Sequence, residues 1–314
     1  DLNQRNPFLF NYLVQNSIWW IEYSGLNGIR MDTYPYPFKE PMAEWAKRIT
    51  TEYPNFSIVG EAWMGEASLV SPWEGDPAVE TGYASHLPYV FDFPMYDAFG
   101  QAFTEESGWG TGIIRLYDVL AQDFLYGDEA KVVVFPDNHD GDRLFSKLNE
   151  NLDNQKMAIT FLLTTRGVPQ IYYGTEILMS GSGPHGKLRK DFPGGWPDDE
   201  VNKFEASGRT ADENEMFGHL TTLTEWRNQN EVLQYGKLKH FLPENEVYVY
   251  FRYDDDDLVM VILNNSKEPQ PFNRERFAEI ITGIDRGKNI LDGKTYELSG
   301  LELPAKSSFV LKLK

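Results

Sequence analysis

The chain has 314 residues, 41% of them hydrophobic, which supports one large domain plus a small one. Its 29 basic and 48 acidic residues give a net charge of −19, which argues against nucleic acid and anionic membranes as partners and leaves a neutral sugar open. With no cysteine, disulfides and thiolate metal sites are excluded, and no apolar run reaches the about 18 residues of a membrane helix.

Asn6-Pro7 predicts a helix start, with Asn6 as N-cap and Pro7 in the first helical position. Leu9, Leu13 and Trp20 recur at helical spacing with Phe10, Val14 and Ile21, and Gly25 is the expected stop. Gly28 to Asp32 then reads as a short buried strand. The pattern repeats, with a helix over 40–53 and a strand over Ser57–Gly60 that ends at Glu61. Further strands are expected at 89–93, 131–135 and 169–173, and helices near 111–125 and 153–165. Alternating strands and helices indicate parallel βα units, and strands this continuously apolar suit a sheet covered on both faces.

Residues 178–210 are rich in Gly, Pro and charge and read as a long loop. A helix follows over 211–230, with Met216, Leu220, Leu223 and Trp226 on one face. After about residue 236 the period changes to two. Val247, Val249 and Phe251 alternate with Tyr248, Tyr250 and Arg252, and Phe309, Leu311 and Leu313 alternate again. Asp254 to Asp257 reads as a solvated hairpin tip. This tail is expected to be a small antiparallel β domain.

In parallel βα folds function gathers at the C-terminal ends of strands. Asp32, Glu61 and Asp140 all stand at such ends, separated by 29 and 79 residues, so only the fold can bring them together. One acidic residue in a loop is ordinarily just solvated. Three at strand ends, each with Arg, Trp or His beside it, suit glycoside cleavage. That reaction uses one carboxyl group at the anomeric carbon and another to protonate the leaving oxygen. A third anion can bind ring hydroxyls and favour an oxocarbenium-like transition state.

Gly28-Ile29-Arg30-Met31-Asp32 resembles the Gly-x-Arg-x-Asp motif of the α-amylase superfamily, whose Asp is the nucleophile. Gly60-Glu61-Ala62-Trp63 is similar to the motif carrying the general acid/base. Asp137-Asn138-His139-Asp140 is similar to the motif whose last Asp stabilises the transition state and whose His contacts the −1 sugar. Residues 167–176 resemble the strand-eight signature, and Asp1-Leu2-Asn3 the end of a motif preceding strand four. Asp191 to Trp196 resembles a loop of the neopullulanase- and cyclomaltodextrinase-like branch. The resemblance implies a retaining α-1,4-glucan hydrolase acting on starch, maltooligosaccharides, cyclodextrin or pullulan. It implies no organic cofactor, admits a structural calcium ion, and favours the periplasm or the cell exterior.

Arg30 precedes Asp32 by two residues, so both side chains share one strand face, where a guanidinium would keep the carboxyl ionised. Glu61 needs the reverse setting, one that keeps its proton on. The two carboxyl groups are expected about 5–5.5 Å apart, the retaining geometry. Trp63 is a candidate sugar platform or a packed wall residue. Tyr36 stands where many family members carry His, which suggests a different acceptor subsite with Tyr34 stacking on sugar; loop packing is the plainer alternative. Pro35 and Pro37 stiffen that loop either way.

The family motif Asp-x-x-x-Asn-His at the end of strand three is absent, and the readable strands correspond to four through eight. The expected fold is therefore a partial (β/α)8 barrel over 1–235 followed by an antiparallel β-sandwich over 236–314. Such a piece alone is expected to be inactive and to associate, with the missing N-terminal half of the barrel or with a second copy. The rival readings are a 4-α-glucanotransferase with the same catalytic residues and a non-catalytic carbohydrate-binding relative.

Overall fold

A computed structural model describes residues 2–79 and 82–314 of the chain. It divides into two compact units, one formed by 1–95 with 119–135 and the other by 96–118 with 136–314.

The first unit opens with helix α1 (Pro7–Ser24). Asn6 caps it, its side chain accepting from the Phe8 and Leu9 amides at 3.0 and 3.4 Å. Gly25, at φ 63°, ends it, its N–H donating a hydrogen bond to the Ile21 carbonyl. Val14 and Ile21 are buried, whereas Trp20 stands with Trp19 and Tyr23 in an exposed aromatic group.

Strands β1 (Gly28–Met31), β2 (Ser57–Gly60), β3 (Tyr89–Phe91) and β4 (Val132–Val134) follow, each paired in parallel with the next. The helix Lys39–Glu52 connects the first two and buries Met42, Trp45, Ala46 and Ile49. These join Ile58, Val70, Leu87 and Val90 in one core.

Strand β3 stops at Phe91, short of the expected Phe93, because an unforeseen helix begins there and runs over Phe93–Thr104. Asp92 accepts from the Met95 amide at 3.1 Å, as a cap does, and Pro94 occupies the first turn. The expected 111–125 helix is shorter, Ile114–Leu120, preceded by glycines 110 and 112 at positive φ and followed by a 3-10 turn.

In the second unit the helix Leu152–Thr164 is buried along most of its length, and β5 (Val168–Pro169) is only two residues long. The chain bends instead of extending to Tyr173, with Gly174 at φ 85° and Thr175 bonded back to Tyr172. The helix Ala211–Gln229 starts in a capping box between Thr210 and Glu213. Met216 and Leu223 are its buried apolar residues.

The tail adds β6 (Lys237–His240), β7 (Val247–Tyr253), β8 (Leu258–Asn264), β9 (Gln270–Pro271), β10 (Arg286–Asn289), β11 (Thr295–Glu297), β12 (Glu302–Leu303) and β13 (Ser307–Lys312). One antiparallel sheet runs in the order β11-β10-β13-β8-β7-β6, and β12 pairs with β9. Val249, Phe251, Met260, Ile262, Phe309 and Leu311 belong to its separate core, as the period-two pattern implied. Among the described residues no helix is long and apolar enough to cross a membrane.

Candidate active site

The first unit builds one cluster of charges. The register of β1 on β2 sets Arg30 opposite Val59 and Met31 opposite Gly60. Asp32 and Glu61 therefore leave neighbouring strands at the same level. Two backbone bonds extend the ladder past the strands, Glu61 N–H to the Met31 carbonyl at 2.9 Å and Tyr34 N–H to the Glu61 carbonyl at 3.1 Å.

Arg30 reaches both carboxyl groups. Its Nη1 lies 2.8 Å from Asp32 Oδ1 and its Nη2 2.5 Å from Glu61 Oε1. The expected Arg30–Asp32 pair is present, and the second half of the fork on Glu61 was not expected. The two carboxyl groups differ sharply in setting. The Asp32 side chain is 64% exposed and the Glu61 side chain 6%. Burial pushes the Glu61 carboxyl above the ordinary carboxylate range, and the Asp32 carboxyl adds to the rise. The Thr33 amide, donating to Glu61 Oε2 at 2.9 Å, and the Arg30 charge oppose it.

Gly60 makes room for this arrangement. A Cβ there would come within 2.4 Å of Leu87 Cδ1 and 3.3 Å of the Tyr34 ring. Tyr34 itself is fully buried, with its hydroxyl donating to the Ser85 carbonyl at 3.1 Å and its ring edge-on to Trp73. Its expected role as a sugar platform is corrected: no ring face is open, because the loop folds it into the core beneath Gly60. Tyr36 is 72% exposed and Trp63 46% exposed, the latter stacked on Phe93 at 4.8 Å. Both keep surface on which a sugar ring could stack.

The second unit builds another cluster around Asp140. Asn138 Oδ1 accepts from the Asp140 and Gly141 amides at 2.9 and 3.0 Å, and Asp137 Oδ2 accepts from the Leu144 amide at 2.9 Å. These bonds shape the turn on which His139 and Asp140 stand. His139 Nε2 lies 2.9 Å from Asp140 Oδ2. Arg189 Nη2 lies 2.5 Å from Asp140 Oδ1, and His185 Nε2 4.0 Å from the same oxygen.

Arg189 and His185 come from the stretch read from sequence as a featureless loop, in which a short helix, His185–Leu188, is found. A His and an Arg four residues apart beside buried Leu188 were the available signal. Beneath the turn, Lys147 lies 3.4 Å over the Tyr96 ring and donates to the Pro136 carbonyl at 3.1 Å. Among the described residues no group of three or more His, Asp or Glu side chains could hold a metal ion. Asp1, the first residue of the match to the motif preceding strand four, lies outside the described residues.

A family model described as the α-amylase catalytic domain matches residues 1–192. The chain belongs to the α-amylase family. A second model, the cyclo-malto-dextrinase C-terminal domain, matches residues 238–312, in agreement with the branch suggested by the motif at 191–196. Among curated relatives, a cyclomaltodextrin glucanotransferase of Geobacillus stearothermophilus is 29% identical over 95% of this chain and 38% of its own. A cyclomaltodextrinase of Geobacillus thermopakistaniensis is 28% identical over 94% of this chain and 45% of its own. The chain thus spans less than half the length of both.

Among solved structures, the α-amylase from Geobacillus thermoleovorans complexed with acarbose has a TM-score of 0.80 at 23% identity, over all of this chain and 66% of that one. A cyclomaltodextrin glucanotransferase with a three-domain ABC distribution has a TM-score of 0.77 at 25% identity, over 99% of this chain and 61% of that one. These likenesses show the fold: parallel βα units of the (β/α)8 type followed by an antiparallel β domain.

Proposed function

We propose that this chain carries the reacting groups of a retaining enzyme that cleaves α-1,4-linked glucans. In this reading Asp32 attacks the anomeric carbon while Glu61 gives its proton to the departing glycosidic oxygen. Water then attacks the glycosyl-Asp32 ester, Glu61 takes the water's proton, and Asp32 leaves as a carboxylate. Arg30 pairs with the nucleophile at 2.8 Å, and Asp140 and His139, by their match to the family motif, are assigned to hydroxyls of the reacting sugar.

The observation that carries the reading is the division of labour between two carboxyl groups on one guanidinium. Asp32 is open to solvent and to a substrate, whereas Glu61 is buried and held toward its protonated form. A purely structural ion pair has no need of that asymmetry. Family membership and the glucan-acting names of the relatives support the substrate class.

The same groups serve transfer as well as hydrolysis, since a sugar hydroxyl can replace water on the ester. The relatives named for glucanotransferase activity favour keeping this second reading. Exposed Tyr36 and Trp63 are the side chains suited to bind an acceptor sugar.

Maltoheptaose turnover by the full-length enzyme and by its Asp32→Asn and Glu61→Gln variants tests the assignment. Loss of roughly 100-fold or more in each variant is expected. Products longer than maltoheptaose would identify transfer. Near-normal turnover by either variant would remove the assignment.

A further inference from the structure

We propose that Arg189 is the positioning residue for Asp140, and that the segment 180–190 acts as a strap that delivers it. This rests on the reading of Asp140 as a sugar-binding carboxylate, and deepens it.

The guanidinium makes two contacts from one planar group. Nε donates to the His139 carbonyl at 2.8 Å, and Nη2 donates to Asp140 Oδ1 at 2.5 Å. One acceptor is backbone and the other is the neighbouring carboxylate, so the pair fixes the side-chain torsion of Asp140 relative to its own main chain. His139 holds the second oxygen, and Asn138 holds the amides below. Removing Arg189 takes away the contact that ties Oδ1 to the neighbouring main chain through a planar fork, while His139 stays 2.9 Å from Oδ2 and His185 4.0 Å from Oδ1.

The strap is fastened along its length. Arg143 N–H donates to the Gly181 carbonyl at 3.0 Å, and Gly181 N–H to Ser146 Oγ at 2.9 Å. Gly183 N–H donates to Asp142 Oδ1 at 3.0 Å, and the Tyr173 hydroxyl to the Lys190 carbonyl at 2.5 Å. Leu188 is buried, which anchors the short helix whose end carries Arg189. A segment serving only to cover the turn would not need a charged fork aimed at Asp140 and at the carbonyl beside it. A Lys cannot replace the fork, because an ammonium is a point charge with no planar pair of donors.

The test uses two readouts on Arg189→Ala and Arg189→Lys. The first is the imidazole nitrogen and proton signals of His139, assigned by loss in His139→Gln. They are expected to move in both variants, and to stay in place in Lys187→Ala. The second is maltoheptaose kinetics, where Arg189→Ala is expected to lose roughly 100-fold in kcat with little change in KM. Added guanidinium should restore part of that loss in Arg189→Ala alone. Arg189→Lys keeps the charge and guards against a folding defect in the Ala variant.

Unmoved His139 signals in both Arg189 variants would overturn the proposal. So would wild-type kcat in Arg189→Ala despite moved signals, because the contact would then have no catalytic consequence. If the full-length enzyme does not cleave maltoheptaose, the glucan reading falls, and the His139 signals still decide whether Arg189 positions Asp140.

Discussion

Thr33 donates its amide to Glu61 Oε2 at 2.9 Å from a backbone φ of 49°. A β-branched residue rarely occupies that left-handed region, and holding it there costs on the order of 1–3 kcal/mol. The strain lies one residue after Asp32 and aims a donor at the other carboxyl group. Thr33→Gly keeps the amide and relieves the strain, so thermal melting should show a gain of about 1 kcal/mol with the Glu61 titration unchanged. A lower melting temperature would mean that the conformation is not strained.

The Glu61 carboxyl should titrate above ordinary glutamates, and its two charged neighbours should move it in opposite directions. Asp32 raises it and Arg30 lowers it. Asp32→Asn should therefore bring the titration down, and Arg30→Met should send it further up, as read from carboxyl carbon NMR. The sign for catalysis follows: turnover falls as pH rises through the Glu61 value, because the proton donor is lost. The sign for stability is the same. The folded state keeps a proton that the unfolded chain has released, so this group's contribution is full below the unfolded value and fades as pH climbs through the folded one. A shift of the same sign in both variants would contradict the arrangement.

Tyr34 and Tyr36 should separate packing from binding. Tyr34→Ala removes a fully buried ring and should destabilise by about 3–5 kcal/mol. Tyr34→Phe loses the hydroxyl's bonds to the Ser85 carbonyl and to Tyr83, about 1 kcal/mol each. Tyr36→Ala should leave the denaturation midpoint unchanged and weaken maltooligosaccharide binding. Calorimetry and urea unfolding read the two effects, and the reverse pattern would restore Tyr34 as the platform.

His219 provides an acid-sensitive point far from the carboxylates in sequence. Its Nε2 donates to the Lys156 carbonyl at 3.1 Å beside the Thr160 hydroxyl, and burial lowers its pKa from 6.5 to about 4. The unfolded chain takes up a proton between those values and the folded chain does not, so stability falls as pH drops through that window. His219→Gln keeps a donor and cannot titrate. Its melting temperature should fall less than the wild type's between pH 6.5 and pH 4. Equal losses would show that His219 is not held neutral.

What could be read from the sequence was whatever depends on near neighbours. Asn6-Pro7 and Gly25 bound α1 because caps act within one turn. Arg30 and Asp32 share a strand face because the period is two, and their ion pair follows. Features set by distant chain segments stayed hidden. The contact of Arg189 with Asp140 spans 49 residues and depends on a strap rich in Gly and Pro with no periodicity to read. Tyr34 looked exposed because two prolines and a second Tyr surround it, yet the space left by the missing side chain of Gly60 takes its ring. The helix from Phe93 was masked because apolar strand and apolar helix look alike where they adjoin.

The anomeric form of the first sugar released is the most direct test of the central claim, that Asp32 is a nucleophile and Glu61 its acid partner. Proton NMR recorded in the first moments of maltoheptaose cleavage distinguishes the two anomers before mutarotation mixes them. Double displacement through Asp32 predicts that the α-anomer appears first and that Asp32→Asn removes the signal. A β-anomer appearing first would mean direct attack by water, and would contradict the account.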